Sequence, residues 1–506
     1  MDLSGDLALG FASAFTLHNL AAVVVGCVLG TLVGVLPGIG PAPAIAIALP
    51  TVYALQTTPA LILLACLYFG ARYGGSIGAI LLDSGNDSRP AVASIDGAAM
   101  ARQGRAGAAL AAAGLSAFVA GAVAVAVVAA LAAPLTELAF RFGPAEYFSL
   151  TLLGLIGAVA PASGALLKAL AMLLFGLLLA QFDVGAVVGS ALRDLDLREI
   201  QRGGGLVLLA IGLLVFGDVI ARLGAPVLAR RLVAMNLDGR PPTPTRQDLD
   251  DVAEAWPAVV RGTALGSLLG LLPGAGVRAT SATAGAVEKR LAGPSGRFGK
   301  VDIRGVAGPE AANSAGAQTS FMPMLALGIP PNAVLALMLG ALAMKGVEAG
   351  PRVMSSHPRF FWGLLVAMGL GHALLVLLNL PLTRLWMRAL TVPYRVVFPA
   401  VVALACVGVY TLHPGVGVFC LSAAFAVAGY VFHKFGCAVT PLLLGFVLGP
   451  ALDENLRHAL RLSGGDWSVF VSRPLSAGLL AAAALVLVIA VLPSIGGKRD
   501  SRFQEV

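Results

Sequence analysis

Inside segments that are otherwise apolar, the sequence sets out residues able to hold ions. Thr280, Ser281 and Thr283 follow LPGAG (272–276), and Asn313 and Ser314 stand in GPEAANSAG from Gly308. Hydroxyl and amide oxygens, together with the carbonyls of an unwound helix, are the ligands a hard cation takes. Ser281, Thr283, Asn313 and Ser314 are therefore read as an ion-binding set, the alternative being hydroxyls that bond back to their own helix. Glu310, in the same stretch, reads either as a proton carrier or as a partner for Lys300 or Arg304. Anion chemistry is also on offer. Ser84, Gly85 and Asn86, with Asp87, precede Ala91, and Gly328, Pro330, Pro331 and Asn332 precede Val334. Both have the composition of the first turn of a half-helix, where free N–H groups and the helix dipole favour a carboxylate. Asn332 is expected to cap one such turn and Asn86 or Ser88 the other, with ordinary capping as the alternative. Arg72 and Arg89 flank the first turn, and either guanidinium can fork onto a carboxylate. Arg72 lies in an apolar segment, where a charge is costly unless used; its partner is a substrate or one of Asp83, Asp87 and Asp96.

These side chains need interrupted helices to hold them. GTLVGVLPGIGP (30–41) and GSLLGLLPGAGV (266–277) share the pattern GxLxGxLPGxG, with Gly30, Gly34, Pro37, Gly38 and Gly40 matching Gly266, Gly270, Pro273, Gly274 and Gly276. A Pro-Gly break frees backbone groups that hydrocarbon cannot satisfy, so it must lie in protein or line a wet cavity. Matched breaks in two halves point to a transporter's binding site. Pro37, Gly38, Gly40, Pro273, Gly274 and Gly276 are thus expected to mark two discontinuous helices that meet near mid-membrane. Gly26, Gly30 and Gly34, four residues apart, suit close helix packing. The polar stretch 240–254 divides the chain into a first transmembrane repeat, 1–250, and a second, 251–506. The expected fold is an all-α polytopic membrane protein of two repeats with broken helices and re-entrant hairpins, in a secondary-transporter, elevator-like architecture.

Composition agrees with that class: of 506 residues, 58% are apolar and 12% charged, far from a soluble domain. About 10 to 14 spans and re-entrant pieces are expected at ~20 residues per crossing. Asp2 and Asp6 replace the basic start of a cleavable signal, so the first apolar run is expected to be retained. The net charge of +8 sits in the breaks between apolar runs, which is orientation by positive loops rather than a nucleic-acid surface; the cytoplasm is placed beside 193–202 and 222–246. Cys27, Cys66, Cys406, Cys420 and Cys437 show no CxxC spacing, and no metal or other cofactor is expected beyond a coupling ion. Gly74, Ser76 and Gly78 satisfy GxSxG, but this copy lacks a strand-turn-helix context and a nearby His. An intramembrane serine hydrolase is the lesser alternative and a channel-like permease the stronger one; no enzyme is expected.

Read in order, LPGIGPAPAIAIALP from Leu36, YFGARYGGSIGAILL from Tyr68, DGAAMARQG from Asp96, GPAEYFSL from Gly143, LPGAG from Leu272, GPEAANSAG from Gly308, PMLALGIP from Pro323 and PLLLGFVLGPALDENLRHALRLSGGDWSVFVSRPLS from Pro441 cover nearly the whole chain. Together they resemble the large membrane subunit of the bacterial tripartite tricarboxylate transporters. The resemblance implies symport: uptake of a small organic carboxylate across the inner (cytoplasmic) membrane, driven by Na⁺ or H⁺. Its partners would be a small membrane subunit and a periplasmic solute-binding protein, with membrane lipid the partner that the apolar composition implies. The chain departs from the family pattern where Asp83, Ser84, Gly85 and Asn86 replace Asn-Thr-Pro-Gly, where Pro331 replaces the last Gly of Gly-Ile-Pro-Gly, and at Ser314, Gln318 and Thr319. Asp83 and Asp87 would repel a triply charged ligand, so a smaller or less charged acid than citrate is expected.

Overall fold

The computed structural model describes residues 3–36, 38–81, 91–160, 166–181, 205–223, 246–272, 274, 277–293, 298, 301–392, 394–412 and 416–491, and among these the regular structure is all helical. The helices that matter here are α1 (Leu3–Ala14), α2 (Leu17–Val35), α3 (Pro41–Ala54), α4 (Thr57–Leu81), α5 (Ala91–Arg102), α6 (Ala106–Phe140) and α7 (Pro144–Val159). After the midpoint come α8 (Trp256–Gly270), α9 (Val277–Ala292), α10 (Arg304–Thr319), α11 (Phe321–Leu327), α12 (Ala333–Met344) and α13 (Pro358–Asn379). Eight described helices are long and apolar enough to cross a membrane, among them α2, α4, α6 and α13. The chain is a multi-pass membrane protein. The strongly basic breaks used to place the cytoplasm fall mostly outside the described residues.

Small residues decide which helices touch. In α2 the stripe Gly26, Gly30, Gly34 lies on the backbone of α4: a Cβ on Gly30 would stand 2.4 Å from the Leu67 carbonyl oxygen, and one on Gly34 would stand 2.2 Å from that of Ala71. The stripe Gly262, Gly266, Gly270 of α8 repeats the arrangement on α10, at 2.2 Å from the Gly308 oxygen, 2.4 Å from that of Ala312 and 2.6 Å from that of Gly316. In lipid, where apolar surface gains little from meeting apolar surface, such close backbone approach is what holds helices together.

The LPG breaks are turns that need glycine. Gly38 has φ 93° and Gly274 has φ 84°, both in the left-handed region. Gly40 follows in an extended conformation and leads into Pro41 at the start of α3. Gly38 lies beside Leu214 and Asp218, next to a π-helical turn at Ile211–Phe216, whereas Gly274 packs on Gly157 and Ala158 of α7. Pro37, Pro273 and Gly276, and with them the expected meeting of the two breaks, lie outside the described residues.

Beyond the breaks the halves interlock. Helix α5 packs on α9 and α10, while α12 packs on α3 and α4. Helix α12 has 12 residues, about 18 Å at ~1.5 Å per residue, too short to cross hydrocarbon about 30 Å thick. It begins inside the protein, as a re-entrant hairpin does. At its far end Lys345 Nζ donates to the carbonyls of Tyr53 at 2.7 Å and Leu55 at 2.5 Å, closing the C-terminus of α3. Lys345→Met is expected to cost about 1 kcal/mol, since a partly exposed charge-assisted contact is lost. The check is a lower thermal midpoint of the protein in detergent.

Candidate functional site

Helix α4 is buried over most of its length, and Arg72 and Ser76, one turn apart, share a face of it. Glu310 and Asn313 share a face of α10 in the same way. The two faces meet. Arg72 Nη2 donates to Asn313 Oδ1; Ser76 Oγ donates to Glu310 Oε1 at 2.8 Å; Asn313 Nδ2 donates to Glu310 Oε2 at 3.4 Å. Glu310 is 1% exposed and Asn313 2%. The Arg72 guanidinium also lies over the Tyr68 ring, 5.8 Å from its centroid, a cation–π contact strengthened by burial. A buried carboxylate and a guanidinium joined through one amide form a neutral unit, which is what makes either tolerable there. One donor of that unit is left over: Arg72 Nε is buried without a hydrogen-bond partner.

The unit opens into a narrow crevice. Phe69, Arg72 and Tyr73 of α4, Ala117 and Phe118 of α6, and Glu310, Asn313 and Ser314 of α10 line it, with His372 of α13 opposite. His372 stacks on Phe69, centroids 4.6 Å apart, and its Nε2 is buried without a partner. Asn332, at the turn between α11 and α12, lies beside the Tyr68 hydroxyl. Gly328, with φ 71°, ends α11; Pro330 and Pro331 follow and carry no N–H. Asn332 then caps α12, its Oδ1 accepting the Leu335 N–H at 3.0 Å, as the sequence leads one to expect. Its Nδ2 is buried and faces Tyr68.

Of the residues singled out in the sequence, Asn313 and Ser314 thus share one crevice with Arg72, and Gly328, Pro330 and Asn332 form the turn behind it. Ser281 is buried with its Oγ unpartnered, while Thr283 is exposed and donates to the Ala279 carbonyl of its own helix at 2.7 Å. Ser84, Gly85, Asn86 and Arg89, with Asp83 and Asp87, lie outside the described residues. Of the charged partners the sequence offered, Lys300 also lies outside the described residues, and Asp96 and Arg304 are engaged elsewhere. Asp96 accepts the Asp302 N–H at 3.1 Å, and Arg304 pairs with Asp302 at 2.8 Å. Burial pushes the Asp302 carboxyl up, but the Arg304 donors outweigh it and hold the group below its ordinary value. The pair therefore stabilises the fold at neutral pH and stops doing so as acid protonates Asp302. Ser76 sits mid-helix rather than on a strand-to-helix turn, so GxSxG is not a nucleophile elbow. Sequence reasoning missed the Ser76–Glu310 contact and His372; a lone ionisable residue among apolar ones was the signal for each.

The model of the Tripartite tricarboxylate transporter TctA family matches residues 20–444. An uncharacterised 52.8 kDa protein in the TAR-I ttuC′ 3′ region of Agrobacterium vitis is 44% identical over 510 residues, covering 100% of this chain and 99% of that protein. An uncharacterised protein in the TAR-II ttuC′ 3′ region of the same organism is 48% identical over 240 residues, 47% of this chain and 99% of that protein. No solved structure matches the chain. With its multi-pass helices and a family match over most of its length, the protein is placed in the bacterial inner membrane. It belongs to the tripartite tricarboxylate transporter TctA family, the large membrane subunits of systems that also contain a small membrane subunit and a periplasmic binding protein.

Proposed function

We propose that this chain moves a small organic carboxylate inward, driven by a Na⁺ or H⁺ gradient, with Arg72 receiving the substrate's carboxylate. The observation that carries this reading is the buried Arg72 Nε beside the crevice, which has no hydrogen-bond partner. A guanidinium donor held in a dry interior with nothing to bond is costly unless a ligand takes it. The turn behind the crevice offers little to an anion, because two prolines remove N–H groups from it, and Glu310 already balances one guanidinium. That supports an acid smaller or less charged than citrate. Ser84, Gly85, Asn86 and Arg89 of the first half are proposed as further substrate-binding residues.

The matched glycine stripes and the reciprocal packing of α5 and α12 support reading 1–250 and 251–506 as two repeats. For the coupling ion, Asn313 and Ser314, at the crevice, are favoured over Ser281 and Thr283, Asn313 also donating to Glu310. Thr283→Ala is expected to change the cation concentration for half-maximal uptake by less than about twofold, since an exposed hydroxyl bonded to its own helix contributes little. Asn313→Ala is expected to raise it several-fold more. A carrier rather than an enzyme is supported by Ser76, which donates to Glu310 from within a helix. The test is uptake of labelled lactate, succinate and citrate by cells carrying the whole three-part system, with Na⁺ and H⁺ gradients collapsed in turn. Saturable, gradient-dependent uptake is expected; flux that never saturates favours a channel, and no uptake of any probe overturns the reading.

A further inference from the structure

Glu310 is a carboxylate set in the protein interior, and among the described residues the hydrogen bonds to it come from two neutral groups, Ser76 Oγ and Asn313 Nδ2. Its countercharge reaches it at one remove, through the Asn313 amide that also accepts from Arg72. The groups facing it are few. Helix α4 presents Arg72 and Tyr73, α13 presents His372 across the crevice, and the α6 side chains there, Ala117 and Phe118, carry no charge. On α8 and α9 the nearest charges, Arg261 and Glu288, pair with each other at 2.7 Å against Gly308. Helix α5 brings Asp96 only as far as Gly305, and α11 (FMPMLAL) has no ionisable side chain.

Resting on the carboxylate-carrier reading, we propose that Glu310 carries the coupling ion, and that the ion is a proton, because substrate and Glu310 share a single guanidinium. In the empty carrier Arg72 and Glu310 sum to zero charge. A carboxylate that forks onto Arg72 through Nε and one hydrogen of Nη2 adds one negative charge, while the second Nη2 hydrogen can stay on Asn313 Oδ1. Two carboxylates against one guanidinium are unfavourable where water is scarce. A proton from the aqueous side to which the crevice is open moves onto a Glu310 oxygen and restores neutrality. After the crevice opens to the other side the substrate leaves Arg72, the same proton leaves Glu310, and the Arg72–Asn313–Glu310 unit is neutral again. One proton has crossed per substrate carboxylate engaged, and the protein ends as it began. Ser76 and Asn313 position Glu310, and their neutrality leaves it free to take the proton; a second cation there would hold it ionised.

The test uses the complete three-part system in proteoliposomes, with a proton gradient imposed at equal Na⁺ on both sides and lactate, succinate and citrate as labelled probes. One proton per substrate sustains about a tenfold concentration ratio per pH unit. The wild type is expected to reach that ratio for the accepted probe. Glu310→Gln is expected to fall to a ratio of about one, because its neutral amide removes the charge that the proton balances, yet to exchange labelled for unlabelled probe across the bilayer. That exchange separates lost coupling from lost folding. A second readout needs no variant: adding the accepted probe to lightly buffered detergent-solubilised wild type should draw protons from solution. Accumulation by Glu310→Gln equal to wild type, a ratio that follows Na⁺ alone, loss of the pH response in His372→Gln instead, or no proton uptake on probe binding would each overturn the proposal while leaving carboxylate transport standing. Absence of flux for every probe in the wild type would strike the carrier reading itself.

Discussion

Arg72→Ala is expected to lower the initial rate of carboxylate uptake by about 100-fold or more, close to 2.7 kcal/mol at ~1.4 kcal/mol per decade. Truncating one side of a buried, charge-assisted contact commonly costs about 2–5 kcal/mol, so the loss is in range even for one of several substrate contacts. The same change strips Glu310 of its countercharge in a site 1% exposed, and an orphaned interior carboxylate destabilises the fold by about 3–5 kcal/mol. Lost uptake alone would therefore not separate recognition from folding. The double variant Arg72→Ala/Glu310→Gln removes both charges, and its thermal midpoint is expected to recover most of the way towards wild type while uptake stays low. Arg72→Lys keeps the charge but not the planar fork. It should fold and transport about tenfold more slowly. Uptake that returns in the double variant would make Arg72 a structural partner of Glu310 and nothing more.

The membrane class, the two LPG breaks and the capping role of Asn332 were legible in the sequence because each is local. Hydrophobic runs, a Pro-Gly pair at fixed spacing and an Asn three residues before Leu335 need no knowledge of the rest of the chain. Even the glycine stripe of α2 was readable, since a spacing of four puts small residues on one face. The site network was not. The sequence offered Arg72 a substrate or one of Asp83, Asp87 and Asp96, and Glu310 a proton or one of Lys300 and Arg304, of which Asp96 and Arg304 are among the described residues. Their hydrogen bonds instead run to Asn313, 241 residues from Arg72, and to Ser76, 234 residues from Glu310. Charge attraction does not depend on chain separation, so in a polytopic protein the nearest opposite charge in sequence is a poor guide until the helix packing is known. His372 was set aside for a related reason: metal-site arithmetic asks for companions at ligand spacing, and a single imidazole facing a crevice has none.

Leucine at Gly30 or Gly266 is expected to leave little folded protein to extract, at a cost of about 3 kcal/mol or more. A Cβ at either position would stand 2.4 Å from a backbone oxygen, of Leu67 or of Ala312. A helix carbonyl cannot rotate away as a side-chain end can, so the whole helix must move off and give up the contacts along the stripe. Gly75→Ala is the comparison within α4: nothing lies within 4 Å of its Cβ position, so the better helix former should be neutral or stabilising by about 0.5–1 kcal/mol. Size-exclusion profiles and thermal midpoints of detergent extracts check all three, and normal extraction of both leucine variants would show that these stripes do not set the packing. Their position gives them a second consequence. Gly34 meets the carbonyl of Ala71, immediately before Arg72, and Gly266 meets that of Ala312, immediately before Asn313. Each stripe thereby fixes the height of one of the two residues that hydrogen-bond across the halves. Alanine at Gly34 or Gly266, even where the protein still folds, should displace one partner of the Arg72–Asn313 contact and slow uptake more than the loss of stability alone accounts for.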